Sequence, residues 1–183
     1  MRTVNIKGLD ISVLSLGTVQ LGMNYGINNK DGKPSMDQAF GILDAAMTTG
    51  VNTLDTAAGY GDSEAVIGEW LKTVPAGKRP FICTKAKHLD HTSLDTLRAS
   101  LKASVEESKK RLGLSQLPLL MLHSCDEYLE DEENMKICFR ELKENGDILY
   151  SGISAYARLS LFLFTFFIWG CLLRALLCIV YSC

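Results

Sequence analysis

The sequence predicts an α/β fold, a partial (β/α)8 barrel of about five βα units preceded by a short β-hairpin. Three observations predict it. Short β-prone segments alternate with segments of helical periodicity, which is typical of a parallel sheet with helical crossovers. A polar residue lies at the carboxyl end of each predicted parallel strand, as expected where barrel strands converge on one face. No G-x-G-x-x-G follows the first of these strands, which disfavours the open, doubly wound sheet that binds dinucleotides.

The predicted strands are short and rich in β-branched or apolar residues. The segments on either side of the turn-rich break at 7–10 form the predicted hairpin over 2–14. The next strand ends at Leu16-Gly17-Thr18, and the four that follow are predicted at 51–56, 81–85, 117–122 and 148–153. The strand at 117–122 is almost continuously apolar, which indicates burial on both faces.

The predicted helices are bounded by capping residues and glycines. Ser35 is the predicted N-cap of a helix over 36–49, with Gly50 after its end. Thr92 or Ser93 is the predicted N-cap of a long helix that reaches Leu112. Two further helices are predicted over 63–73 and 132–144 from apolar residues spaced three or four apart.

Composition excludes several classes of function. The chain has 183 residues, with 19 Lys and Arg against 21 Asp and Glu, so no basic excess favours nucleic-acid binding. The six cysteines contain no C-x-x-C pair, which predicts reduced thiols and no zinc site. The N-terminal segment has no continuous apolar run, so we predict no signal peptide.

Asp55, Lys85 and His123 lie at the carboxyl ends of successive predicted strands, with Tyr60 in the loop after Asp55, so a barrel would bring the four into one cavity. Each has an ordinary structural explanation alone, but together they suit proton transfer to a carbonyl oxygen. An ammonium beside a phenol stabilises the phenolate, so Lys85 would help Tyr60 to release its proton. Asp55 would keep Lys85 charged, and His123 would donate to and orient the carbonyl oxygen. Side chains cannot supply a hydride, which points to a nicotinamide cofactor.

Residues 55–64, with the sequence DTAAGYGDSE, resemble the D-T-A-x-x-Y-G-x-S-E motif of aldo-keto reductases. The similarity covers residues 2–156 almost continuously, and segment 16–35 is most similar to a group of mainly bacterial members. The resemblance implies a (β/α)8 barrel with an N-terminal hairpin. It also implies reduction of a small aldehyde or ketone with NADPH, in some members NADH, and no metal.

The resemblance also implies a role for individual residues. Tyr60 is implied as the general acid, supported by Asp55, Lys85 and His123. The positions implied for the cofactor are Gly17, Thr18, Asp55, Lys85 and Ser154, and of these Gly17, Thr18 and Ser154 are implied to line its nicotinamide end. Ala155 stands where many members have asparagine, so one contact with the nicotinamide amide is not implied.

Two polar segments carry weaker signals. Residues 87–91 include metal-capable side chains, but their spacing suits no common metal site and favours a solvated loop. The acidic run 126–133 is interpreted as a solvated stretch around a helix N-terminus.

The resemblance stops after Tyr156, which divides the chain into an incomplete barrel domain over 1–157 and a hydrophobic tail over 158–183. Of the 25 residues from Leu159 to Cys183, 20 are hydrophobic and only Arg174 is charged. Segment 159–181 is therefore a candidate transmembrane helix. The alternative is the product of a frameshift, an unspliced intron or a misassembled gene that truncates the barrel.

These two interpretations of the tail lead to different expectations of function and location. The resemblance implies a cytoplasmic NADP-dependent reductase whose activity is impaired by the missing barrel units. The alternative is a catalytically inactive fragment, associated with a membrane if the tail is a genuine anchor. The oligomeric state is left open.

Overall fold

The computed structural model describes residues 1–6, 8–27 and 29–154. A two-stranded antiparallel hairpin precedes a five-stranded parallel sheet, and helices connect the parallel strands. The strands are β1 (Thr3–Ile6), β2 (Leu9–Ser12), β3 (Leu16–Gly17), β4 (Thr53–Asp55), β5 (Phe81–Lys85), β6 (Leu117–Leu122) and β7 (Ile148–Ile153). The helices are α1 (Val19–Gly22), α2 (Met36–Thr48), α3 (Ser63–Leu71), α4 (Leu94–Leu112), α5 (Cys125–Glu130) and α6 (Glu132–Glu144).

The order of strands in the sheet distinguishes between the two architectures that α/β alternation allows. Each parallel strand pairs with the next one along the chain, from β3 to β7, without reversal. In a doubly wound sheet the order in which strands are added reverses at a switch point, whereas a barrel adds its strands consecutively. The predicted α/β fold, a partial barrel preceded by a hairpin, is therefore confirmed.

Local sequence explains where the two best-defined helices begin and end. Ser35 accepts a hydrogen bond from the Gln38 backbone N–H, and the Gln38 side chain returns one to Ser35 N–H, which forms a capping box. Ser93, rather than Thr92, caps α4 in the same way. Gly113 ends α4 with a φ of +66°, a backbone conformation that favours glycine.

The sheet separates two apolar layers. The larger layer lies between the sheet and the helices, where Leu54, Ile82 and Leu120 pack against side chains such as Trp70 and Leu101. The smaller layer lies on the opposite face, which is the interior of the barrel. It contains Cys83, Leu119 and Met121, with Phe81 and Tyr150 packed against them. Because side chains alternate along a strand, β5 contributes Ile82 and Thr84 to the helix side, and Cys83 and Lys85 to the interior.

Two short helices differ from the sequence prediction. Segment 19–22, where the sequence predicts no helix, forms the single turn α1. The start of the acidic run forms α5, whose N-cap Ser124 accepts a hydrogen bond from Asp126 N–H. Both helices have six residues or fewer, which is too short to show helical periodicity in the sequence.

The predicted hydrophobic C-terminal helix and the domain boundary after residue 157 lie outside the described residues. In the ranges that the structure describes, no helix has both the length and the apolar character needed to cross a membrane.

Candidate functional site

The parallel sheet brings the predicted site residues to one edge. Gly17 ends β3, Asp55 ends β4 and Lys85 ends β5, while His123 and Ser154 directly follow β6 and β7. Gly17 pairs with Asp55 in register, and the strands run in the same direction. The carboxyl ends of all five strands therefore lie along one rim of the sheet.

Asp55 and Lys85 form a buried ion pair at this rim. Lys85 Nζ donates to Asp55 Oδ1 at 2.7 Å and to the Thr56 carbonyl oxygen at 3.1 Å. Burial acts to lower the pKa of Lys85, but the attraction and hydrogen bond of Asp55 outweigh it, and the pKa is raised overall. Lys85 therefore remains an ammonium ion at neutral pH.

Tyr60 lies next to this ammonium ion. Lys85 Nζ is 3.4 Å from Tyr60 Oη, a long hydrogen bond, and 4.9 Å from the centre of the phenol ring. The ring is half-buried, so it can be reached from solvent. The phenol is thus placed between a buried positive charge and the open side of the rim.

Close backbone packing holds the Tyr60 loop. The Tyr60 N–H donates to the Ala57 carbonyl, and the Tyr60 carbonyl accepts from Ser63 N–H at the start of α3. A Cβ atom on Gly22 would lie only 1.8 Å from the Tyr60 carbonyl oxygen. Gly22 therefore lets α1 pack directly against the loop that carries the phenol.

His123 completes the group of four. Its ring packs edge-on against Tyr60, with centroids 6.0 Å apart and an interplanar angle of 75°. Its Nδ1 lies 3.1 Å from the Ala86 carbonyl oxygen. A carbonyl oxygen only accepts, so this hydrogen bond requires the proton on Nδ1. A neutral ring then presents Nε2 as an acceptor, and Nε2 donates only from the protonated imidazolium.

The residues implied for the cofactor differ in their surroundings. Gly17 is exposed and has no side chain, so it leaves open space beside Asp55. Thr18 is fully buried, and its hydroxyl donates to the Asp55 carbonyl at 2.9 Å. Ser154 is half-buried, and its N–H donates to the Leu122 carbonyl.

Three buried polar residues of the 55–64 motif, Thr56, Ser63 and Glu64, have no role predicted from the sequence. The Ser63 hydroxyl donates to Thr18 and accepts from Thr56, which ties the ends of β3 and β4 to α3. Glu64 is 1% exposed and binds side chains of β5 and α4. Their position in the motif was the only signal in the sequence, since a buried glutamate is rare and is not revealed by helical spacing.

The segment 87–91 differs in part from the predicted solvated loop. The side chain of His91 is 24% exposed, with its ring nitrogens 3.7 Å from Glu127 Oε1 and 3.8 Å from Asp131 Oδ2. Within the described ranges, no three His, Cys, Asp or Glu side chains are grouped so that they could hold a metal ion.

A family model and individual relatives match most of the described part of the chain. Residues 13–160 match the model of the Aldo/keto reductase family. Norsolorinic acid reductase B of Dothistroma septosporum is 31% identical over 158 residues, which cover 79% of this chain and 39% of that protein. The uncharacterized oxidoreductase YqkF of Bacillus subtilis is 32% identical over 162 residues, which cover 84% of this chain and 48% of that protein.

A solved structure has the same arrangement of elements. The holo form of aldo-keto reductase AKR11C1 from Bacillus halodurans superposes with a TM-score of 0.66 at 25% identity. The match covers 89% of this chain and 52% of that one. The chain thus spans about half the length of the proteins that it matches, or less.

Proposed function

Because the chain belongs to the aldo/keto reductase family, we propose that this rim reduces an aldehyde or ketone to an alcohol. The observation that carries the proposal is the position of the Lys85 ammonium, 2.7 Å from Asp55 and 3.4 Å from the Tyr60 phenol. A phenol held beside a fixed positive charge suits a general acid, because the charge stabilises the phenolate left after proton transfer.

Reduction needs a proton at the carbonyl oxygen and a hydride at the carbonyl carbon. Tyr60 donates the proton as negative charge develops on the oxygen, and Lys85 stabilises the phenolate that remains. When bound, NADPH or NADH supplies the hydride that no side chain can provide. Asp55 holds Lys85 charged and in position through the whole step.

His123 orients the substrate in this proposal. The Ala86 carbonyl accepts the hydrogen bond of Nδ1 and so leaves Nε2 available to the substrate. When the ring is protonated, Nε2–H donates to the carbonyl oxygen and adds positive charge where the alkoxide forms. The Tyr60 and His123 rings are in edge-on contact, which supports the proposal that both donate to the same substrate oxygen.

The residues at the rim fit the nicotinamide end of such a cofactor. Gly17 gives a flat ring room to approach the carboxyl ends of β3 and β4. We propose that Thr18 and Ser154, which directly follow β3 and β7, hold the cofactor together with Asp55 and Lys85. The Thr18 hydroxyl already donates to the Asp55 carbonyl, so the contribution of Thr18 is to shape and support the site.

The test compares the 183-residue chain with its Tyr60→Phe variant, using aromatic and aliphatic aldehydes and following the loss of NADPH absorbance. Loss of the phenol proton should lower kcat by about 10²-fold or more. Cofactor affinity, measured by fluorescence titration, should stay within about twofold because the ring still packs. Tyr128→Phe makes the same chemical change on α5 and should leave kcat unchanged. Turnover by Tyr60→Phe close to that of the parent, or no reduction by the parent, would refute the proposal.

A further inference from the structure

Glu64 is a buried carboxylate that receives hydrogen bonds from two other elements. It is 1% exposed. Its Oε1 accepts from Thr84 Oγ1 at 2.5 Å, and its Oε2 accepts from Arg111 Nε at 2.7 Å. A buried carboxylate is tolerated only where it is paired and hydrogen-bonded, and both oxygens of Glu64 meet this condition.

The side chains of Glu64, Thr84 and Arg111 connect the elements that hold Tyr60 and Lys85. Glu64 lies in the first turn of α3, four residues after Tyr60. Thr84 lies on β5, directly before Lys85. Arg111 lies in the last turn of α4 and binds α3 from the other side. Thr84 points to the helices while Lys85 points into the barrel, so the network lies behind the site and touches neither reacting group.

Both partners of the Glu64 carboxylate are held firmly. Burial acts to lower the pKa of Arg111, but the hydrogen bond and charge of Glu64 outweigh it and raise the pKa overall. Arg111 Nη1 also contacts Glu107 Oε2 at 3.2 Å. Thr84 is fully buried in the middle of the sheet. A displacement of Glu64 would therefore leave a buried charge unpaired, which is strongly unfavourable.

We propose that Glu64, Thr84 and Arg111 form a positioning network that sets the distance between the Lys85 ammonium and the Tyr60 phenol. The Tyr60 carbonyl is bound to the first turn of α3, so the phenol follows any movement of that helix. The Thr84–Glu64 bond is a direct side-chain link from α3 to β5, the strand that carries Lys85. Its catalytic importance rests on the proposed function, but its effect on the Lys85–Tyr60 contact does not.

Thr84→Val is the cleanest perturbation, because it removes the hydroxyl while preserving shape and net charge. Without the hydroxyl, Glu64 keeps only Arg111 and α3 is free to shift relative to β5. A shift of about 1 Å is enough to affect catalysis about 10²-fold. Thr84→Ser is the matched rescue variant, because it keeps the hydroxyl and loses only a methyl group.

The decisive measurement is the nuclear Overhauser effect between the Lys85 Hε protons and the Tyr60 ring protons in the 183-residue chain. It depends on the inverse sixth power of distance. For a separation of about 5 Å, close to the 4.9 Å between Lys85 Nζ and the Tyr60 ring centre, a lengthening of about 1 Å would reduce it to about a third. Thr84→Val should show this loss, and Thr84→Ser should match the parent. If Thr84→Val does not fold, Arg111→Lys tests the same network with its charge preserved and should show a smaller loss.

Glu141→Gln separates positioning from general stability. Glu141 accepts two hydrogen bonds from Arg98, at 2.7 and 2.9 Å, and this ion pair joins α4 to α6 without contacting the rim. Its removal should lower stability and leave the Lys85–Tyr60 effect unchanged. An unchanged effect in Thr84→Val, or an equal loss in Glu141→Gln, would overturn the proposal.

Kinetics add a second readout if the parent chain reduces a carbonyl. Thr84→Val should then lower kcat about tenfold or more while KM for the carbonyl stays within about twofold, since the network contacts the reacting pair only through the backbone. If the parent shows no turnover, the proposed function fails. The magnetic resonance result still decides the positioning proposal.

Discussion

Lys85 is the residue on which the contacts of the rim converge. Its ammonium has three N–H donors, and the structure gives it three acceptors, Asp55 Oδ1, the Thr56 carbonyl and Tyr60 Oη. Lys85 is 4% exposed and Asp55 is 1% exposed. A lysine buried to this extent stays charged only because a carboxylate is buried with it. The pair is therefore part of the fold as well as part of the proposed chemistry.

Breaking this pair should be costly, because each single change leaves one charge buried without its partner. We expect Lys85→Met to lower the free energy of unfolding by about 3–5 kcal/mol, measured by urea denaturation. Asp55→Asn should be destabilising for the same reason. The double variant should lose less than the sum of the two single losses, because it buries no unpaired charge.

The exposed pair Arg98–Glu141 is the control for this experiment. Its side chains are 38% and 35% exposed, so solvent screens the interaction and its coupling should be below about 1 kcal/mol. Strict additivity of Asp55→Asn and Lys85→Met would contradict a tightly coupled ion pair.

At the residue scale, the sequence predicted which side chains come together more completely than it predicted their partners. Asp55, Lys85 and His123 could be grouped because each lies at the carboxyl end of a strand, and these ends of parallel strands share one edge of the sheet. The Ala86 carbonyl that binds His123 could not be predicted, because backbone acceptors carry no sequence signal. The Glu64–Arg111 pair spans 47 residues of chain, and its partners meet only once α3 packs against α4.

At the scale of elements, the crossing of α3 and α4 depends on Gly68. A Cβ atom at this position would lie 2.0 Å from the Arg111 carbonyl oxygen and 3.1 Å from the Leu112 carbonyl carbon. Both are backbone atoms, which cannot move aside as a flexible side chain can. The two helices therefore touch backbone to backbone, one turn away from the Glu64–Arg111 ion pair.

Gly68→Ala should separate these helices. We expect a loss of about 1–3 kcal/mol or more in the free energy of unfolding from overpacking, measured by urea denaturation. Gly41→Ala is the matched control within α2, because a Cβ atom there would meet no atom within 4 Å. It should stabilise the chain by about 0.5–1 kcal/mol through the higher helix propensity of alanine. Equal effects of the two substitutions would contradict the close crossing.

The boundaries of elements were predictable where a local signal marks them. The predicted start of α4 at Thr92 or Ser93 and its end at Leu112 agree with the structure, because capping boxes and a C-terminal glycine are local. The end of α3 was predicted at Thr73 and lies at Leu71, because the two residues after it continue in turns that resemble a helix. α1 and α5 were not predicted because they are too short to show helical periodicity.

At the scale of the whole molecule, a thiol is buried on each side of the sheet, and the Lys85 ammonium is buried on the barrel side. Burial raises the pKa of Cys83, which faces the barrel interior, and of Cys138, which faces the helix layer. The pKa of Lys85 is also raised, because Asp55 outweighs the opposite effect of burial. All three groups hold their protons more tightly in the folded chain than in the unfolded one.

This shared direction predicts a loss of stability at alkaline pH. A group whose folded pKa exceeds its unfolded value binds more protons in the folded state, so the free energy of unfolding falls as pH rises past the unfolded value. For the two thiols the fall begins near the ordinary value of 9.0, and for Lys85 near 10.5. Each group contributes up to about 1.4 kcal/mol per pH unit within its own window.

Urea unfolding at a series of pH values tests this linkage. Between pH 9.0 and 10.5 the parent should lose stability through its buried thiols, whereas the double variant Cys83→Ala, Cys138→Ala should lose markedly less over the same interval. The comparison uses slopes, so the cavities that alanine leaves in the two apolar layers shift the curve without changing the result. Lys85→Met should keep the loss that begins near pH 9.0 and lack only the additional loss that Lys85 contributes above 10.5. Parallel curves for the parent and the double variant would show that the buried thiols do not control alkaline stability.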